Sequence, residues 1–272
     1  VSNLIISRIT NLDSAENTSL SFTQLTTISS RRFVAISKDD TYLIVCDGTN
    51  FELRTSSGDY NYDTVVDTVA LNVYEGEIRF SDYDESVFFL GDKDQNQIQI
   101  YRISDSSILL LDTITDAFGL PSNESKYAIQ EEEGLNRIIT QTNQNGYRVF
   151  EWDVDTSSYV DDSSNYNVAL IETNLNLTTV SYMFKNSDGT YTFMKWGGGV
   201  FNETYTLDFS TKTFTSIDTS STTEDSSIID FDPILRRVAI ENAIYRVYED
   251  GSLEKIQDDV NTPSSAVKFY DG

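Results

Sequence analysis

Between residues 98 and 103 the chain reads Ile-Gln-Ile-Tyr-Arg-Ile, a period of two that marks a half-buried β-strand. Shortly before it, Val87-Phe88-Phe89-Leu90 is apolar at every position, as a strand covered on both faces must be. A short strand at residues 77–80 precedes them and a fourth at 108–111 follows. The junctions at 81–85, 91–97 and 104–107 are polar turns. Residues 77–112 therefore predict a four-stranded antiparallel meander.

The rest of the chain repeats that unit. One copy runs through strands at 33–37, 41–46, 51–54 and 65–71. Another opens at 117–120 and continues through 126–130 and 147–154, with residues 137–142 read as part of an insertion. A fourth uses 180–184, 191–196 and 204–209, and a fifth 228–232, 237–240, 243–248 and 252–256. Helical alternatives exist at Asp232-Pro233, which resembles a helix N-cap and first turn, and at residues 122–133, but the repeat favours strands in both. Hairpin tips recur near Ser57, Ser106, Thr156, Thr211 and Asp250, and a sixth near Ser14 completes the circle when the two ends are joined, so that the spacing around it averages about 45 residues, the period of a propeller blade. Such units close into a ring because each sheet can bury its faces only against the next.

The fold class expected is all-β: a single propeller domain over residues 1–272, with six four-stranded blades, or seven if residues 135–176 hide another. Strands at 3–9 and 20–25 lack an opening strand, whereas residues 266–272 supply one with nothing after it. The termini are thus expected to share the closing blade, with Val267 and Ile5 in it. The same terminal strand, donated to a neighbouring molecule, would give self-association.

Composition agrees with a β-rich chain, since turn residues are spread evenly while Pro (3) and Met (2) are scarce. Nineteen basic against 44 acidic residues leave a formal charge of −25, which repels phosphate backbones and attracts cations or basic partners, besides favouring solubility. Nucleic-acid binding is excluded on that ground. Cys46 lies in an apolar strand and is the one cysteine, so no intrachain disulfide forms and a buried, inert thiol is expected. No apolar run reaches the ~18 residues of a membrane span. The chain begins at Val1, which fits removal of a leader or excision from a longer polypeptide, and an extracellular or cell-surface location is expected. The sequons at Asn17, Asn123, Asn176 and Asn202 add nothing to this, being about as many as chance provides.

Three stretches carry a family likeness. Ile228-Ile229-Asp230-Phe231-Asp232-Pro233, Phe33-Val34-Ala35-Ile36-Ser37-Lys38-Asp39-Asp40 and Val267-Lys268-Phe269-Tyr270-Asp271-Gly272 resemble the opening strand and turn of WD40-like and TolB-like propellers. Phe150-Glu151-Trp152-Asp153 resembles the dipeptide that ends the third strand of a WD40 blade. The likeness is architectural and spans nearly the whole chain. It implies a module that presents broad faces to protein partners; the family's structural His–Asp network has no counterpart here, because the chain contains no His.

That absence also excludes an imidazole base, a Ser-His-Asp triad and a His-ligated metal, and Cys46 alone cannot make a thiolate site. What remains suits a hard cation. Asp92, Asp94 and Asn96 place oxygen ligands at the first, third and fifth positions of a calcium-type loop, but Gln97 stands where such a loop has Gly and Ile103 where it has Glu, so the same residues also read as a solvated hairpin turn. Asp82, Asp84 and Ser86, and Asp153, Asp155 and Ser157, repeat the spacing. Glu131-Glu132-Glu133 reads as a charged surface run and Gly197-Gly198-Gly199 as a flexible turn without phosphate-loop spacing. The reading is a non-catalytic binding or structural module that takes protein partners and needs no cofactor. Its rival is a calcium-dependent propeller hydrolase of the lactonase sort, with carboxylates converging on a channel cation.

Overall fold

The computed structural model describes residues 3–10, 21–29, 33–37, 39, 41–46, 49–56, 62–70, 76–92, 95–115, 129–142, 146–172, 180–197, 201–217, 228–240 and 243–257. By its contacts the chain falls into two compact units. One comprises residues 1–95, 99–111 and 270–272, and the other 96–98 and 112–269.

The first unit opens on an antiparallel pair, β1 (Asn3–Thr10) and β2 (Ser21–Ser29). It continues with a four-stranded sheet of β3 (Phe33–Ile36), β4 (Tyr42–Cys46), β5 (Asn50–Thr55) and β6 (Thr64–Ala70), paired in chain order. The next sheet, β7 (Gly76–Phe80), β8 (Val87–Asp92), β9 (Gln97–Ser104) and β10 (Ser107–Thr115), follows the same order. β8 is buried at all six positions, as the apolar run requires, while β9 alternates from Gln97 to Ile100, breaks step where Ile100 and Tyr101 are both buried, and alternates again to Ser104. Gly91 and Asp92 extend β8 beyond the expected turn, and Gln97 already belongs to β9.

One core joins these two sheets. Ile44, Cys46, Phe51 and Leu53 pack with Phe80, Phe88, Leu90 and Tyr101, and the Phe88 and Tyr101 rings stack at 5.1 Å with Phe51 edge-on to both. Cys46 is fully buried within it.

The second unit holds three sheets of the same topology. They are β11 (Ile129–Glu131), β12 (Arg137–Thr142), β13 (Gly146–Asp153) and β14 (Ser158–Asp161); β15 (Val180–Lys185), β16 (Tyr191–Gly197), β17 (Phe201–Asp208) and β18 (Thr213–Ile217); and β19 (Ile228–Asp232), β20 (Arg237–Ile240), β21 (Ala243–Val247) and β22 (Leu253–Gln257). Again the cores lie between successive sheets: Val149, Phe193, Leu207 and Phe214 fill one, and Phe184, Met194, Val238 and Tyr245 the other.

Two expectations are corrected here. Residues 137–142 are not an insertion but the second strand, β12, and 129–131 form the first strand rather than the second. The reason is polar burial, because Gln130, Glu131, Thr140 and Gln141 occupy interior positions and erase the apolar rhythm. Nor is Glu131-Glu132-Glu133 a surface run, since Glu131 is buried in β11 and Glu132 is half-buried against Arg137. At Asp232-Pro233 the strand reading holds: Asp232 Oδ1 accepts from the backbone N–H groups of Ile234 and Leu235 and so caps a turn, not a helix. Between 135 and 176 the described residues add only two short 3-10 turns, Ser163–Asn165 and Val168–Leu170, and no further four-stranded sheet. The closing strand expected at 266–272, and with it the six-blade count, lies outside the described residues.

Candidate functional site

Of the three residues proposed as cation ligands, Asp92 is buried at the end of β8, where its Oδ1 accepts from the N–H of Gln95 at 3.2 Å. Asn96 is half-buried with a φ of 53°, the left-handed turn conformation that Asn tolerates, and Asp94 lies outside the described residues. Asp84 caps the preceding turn through bonds from the Ser86 N–H and hydroxyl, while Asp82 pairs with Arg79 at 3.1 Å. Asp153 Oδ1 likewise accepts from the N–H of Asp155. These carboxylates hold turns. Among the described residues no group of three or more His, Cys, Asp or Glu side chains is placed to hold a metal ion. Gly197 pairs with Phe201 inside the β16–β17 ladder, and the two glycines after it lie outside the described residues.

The densest chemistry lies in the second unit, in a polar layer the sequence reading missed. Register places Ser181, Lys195 and Glu203 side by side on β15, β16 and β17. Lys195 is only 1% exposed, and its ammonium meets Glu203 Oε2 at 2.5 Å and the Ile171 carbonyl at 3.1 Å, while the Tyr205 hydroxyl donates to the same Glu203 oxygen. Beside it, Ser181 Oγ donates to Gln141 Oε1 at 3.0 Å, so the 2.5 Å bond it shares with the Tyr147 hydroxyl is donated by the tyrosine. Gln130 Nε2 donates to the Ser181 carbonyl. Burial pushes the Tyr147 phenol well above its ordinary range. An amide oxygen is not a base, so this relay orients Ser181 without activating it. It joins β12 and β13 of one sheet to β15 of the next.

A second network knits the same unit by alternating charge. Arg137 meets Glu132 at 2.9 Å and Glu151 at 2.8 Å; Lys212, at the tip of the β17–β18 hairpin, meets Glu151 at 2.9 Å and Asp162 at 2.6 Å. Burial raises the Glu132 carboxyl, in part offset by Arg137, and lifts the Tyr166 phenol beneath Lys212 to about 12.

The first unit offers something different. β10 is the outermost strand of its sheet, and Leu109, Leu110 and Leu111 on it are 49%, 53% and 43% exposed. Successive side chains on a strand point to opposite faces. Apolar surface is therefore open on both faces at once, between the buried Ile108 and Ile114. The sequence reading had these leucines only as a closing strand. Their uninterrupted run was the available signal, and it reads as buried or exposed according to whether another sheet lies beyond.

Comparison with known proteins bears on the fold. No protein-family model matches the chain, and no curated protein matches it. Among solved structures, a functionally unknown protein from Desulfotomaculum acetoxidans is similar over 99% of this chain and 86% of its own, at 12% identity and a TM-score of 0.58. The β-propeller domain of Cps50 (Swd1) from Myceliophteria thermophila is similar over 85% of this chain and 74% of its own, at 10% identity and a TM-score of 0.50. The chain is a β-propeller. Its likeness to WD40-like propellers is one of architecture, as the opening-strand and turn motifs implied. A 6-phosphogluconolactonase candidate from Bacteroides uniformis is also similar, over 69% of this chain at 11% identity and a TM-score of 0.50. The chain spans about half of that structure, 53% of its length. Among the described residues no helix is long and apolar enough to cross a membrane.

Proposed function

We propose that this propeller is a non-catalytic protein-binding module whose docking element is the outermost strand β10. The observation that carries the reading is the exposure of three consecutive leucines there, where an ordinary surface strand would alternate apolar with polar residues. The chemistry-capable side chains of the second unit support it, since Lys195 is engaged by Glu203 and the Ile171 carbonyl, and Ser181 by Tyr147 and Gln141. A stable partner contact would bury more than about 1,000 Å² in total, of which the leucines would form the dry centre.

A photo-crosslinking side chain at position 110, tested in native extract, is expected to give a discrete adduct that Leu109→Asp with Leu111→Asp abolishes. Failure to form any adduct would contradict the reading. So would turnover of a lactone that a chelator abolishes and calcium restores, which would establish the hydrolase alternative.

A further inference from the structure

We propose that the β10 edge at Leu109–Leu111 receives an extended segment of another protein, apolar at its centre and basic at its ends, which adds to the sheet as a fifth strand. This rests on the binding-module reading and names the occupant.

Geometry selects an added strand. Leu110 projects to one face of the sheet and Leu109 and Leu111 to the other, yet all three are open. A partner lying flat on either face would leave one set uncovered, whereas a strand added at the edge meets both with its own alternating side chains. The backbone is placed for it as well. The N–H of Ile108 points away from β9, because it donates to Asp67 Oδ2 on β6 at 2.7 Å. In an antiparallel strand the N–H and C=O of every second residue face the same side, so those of Leu110 also face outward. An outward pair on an edge strand is a pairing template, and exposed edges are usually blunted by Lys, Pro or an inward-pointing charge. None of these occurs at 109–111.

Charge selects the partner's ends. The apolar run lies between Asp105 and Asp112 on a chain of formal charge −25. Long-range repulsion disfavours a second copy of this chain, while a segment carrying Lys or Arg on either side of its apolar centre is attracted and held in register.

The test uses the full chain and two labelled, end-capped peptides, KKVIVIKK and EEVIVIEE, followed by fluorescence anisotropy. The basic peptide is expected to bind saturably, to weaken between about 50 mM and about 300 mM salt, and to bind at least about tenfold more tightly than the acidic one. Leu110→Pro, which removes the outward N–H, should weaken it about tenfold or more. Leu109→Asp with Leu111→Asp should do the same, and circular dichroism would show that each variant keeps its strands. Absence of saturable binding, equal binding of the two peptides, or indifference to both variants would overturn the proposal. A concentration-dependent dimer that the Asp variant dissolves would overturn the basic-strand occupant while leaving β10 a docking element. By contrast, failure of a crosslinker at position 110 to form any adduct in native extract contradicts the module reading itself.

Discussion

Asp67 on β6 accepts the backbone N–H of Ile108 on β10, 2.7 Å from its Oδ2, so one carboxylate reaches from the outermost strand of one sheet to that of the next. Its other oxygen accepts the N–H of Thr68 at 2.8 Å. The second unit repeats the device. Asp112 accepts from Thr113 and from Tyr159, both at 2.7 Å, and Asn167 exchanges two bonds with the backbone of Phe214. Ile108, Tyr159 and Phe214 are each the second residue of their strand. An outermost strand otherwise leaves such a donor without a sheet partner.

Asp67→Ala should therefore destabilise the protein by about 2 to 3 kcal/mol, since it removes two charge-assisted bonds and strands the Ile108 donor. Asp67→Asn keeps one acceptor oxygen and should cost about half as much. Urea unfolding followed by tryptophan fluorescence measures both.

Lys195 makes the complementary case in the interior. Lys195→Ala leaves Glu203 without its cation and opens a cavity at a site 1% exposed, and should cost about 3 kcal/mol or more. Lys195→Met combined with Glu203→Gln removes both charges while filling the space, and should recover most of that loss. A double-mutant cycle by chemical denaturation gives the coupling.

The hairpin tips contribute to the acid limb of stability. Hydrogen bonds from Thr190, Ser210 and Ser252 hold the carboxyls of Asp188, Asp208 and Asp250 below their ordinary 3.8. At Asp39 burial would raise the carboxyl, but bonds from Ser37 and Thr41 outweigh it and the shift is again downward. A lowered folded value contributes stability that is fully present above the unfolded value and is lost as pH falls through the folded one. Glu132, raised by burial, has the opposite sign and gains on acidification. Changing Asp188, Asp208 and Asp250 together to Asn should lower stability at pH 7 and flatten its fall below about pH 4, measured by denaturation at a series of pH values.

Two glycines separate backbone strain from close approach. Gly146 and Gly189 have φ of 98° and 88°, but a Cβ on Gly146 would lie 1.9 Å from Glu172 Oε1, whereas one on Gly189 meets nothing within 4 Å. Glu172 cannot move aside freely, because Oε1 accepts the N–H of Tyr147. Gly189→Ala should cost about 1 to 2 kcal/mol, the left-handed penalty alone, and Gly146→Ala clearly more. Thermal unfolding of the two variants ranks them.

Strands were legible wherever burial follows the apolar pattern. β4, β8, β9, β16, β20 and β21 lie where alternation and turn residues put them, and the tip residues Ser106, Ser157 and Lys212 adopt positive φ at the expected hairpins. The third sheet was misread because its first strand buries Gln130 and Glu131, and the partner of Gln130 lies far along the chain, Ser181 being 51 residues away. Periodicity records only whether a side chain is apolar, so a buried polar residue satisfied at long range is invisible to it. The Asp67–Thr68 and Asp112–Thr113 pairs, 45 residues apart, were a repeat signal that went unread. Leu109–Leu111 were legible as a strand but not as a surface, since exposure depends on no further strand lying beyond β10.

Residue-resolved amide hydrogen exchange at Leu110 tests the central claim, an open and outward edge on β10, most directly. The free protein should show a fast-exchanging Leu110 amide two residues from a protected Ile108, which is held by Asp67, and addition of the basic peptide should slow Leu110 selectively. A Leu110 amide already as protected as those of β8 in the free protein, or one unchanged by saturating peptide, would contradict it.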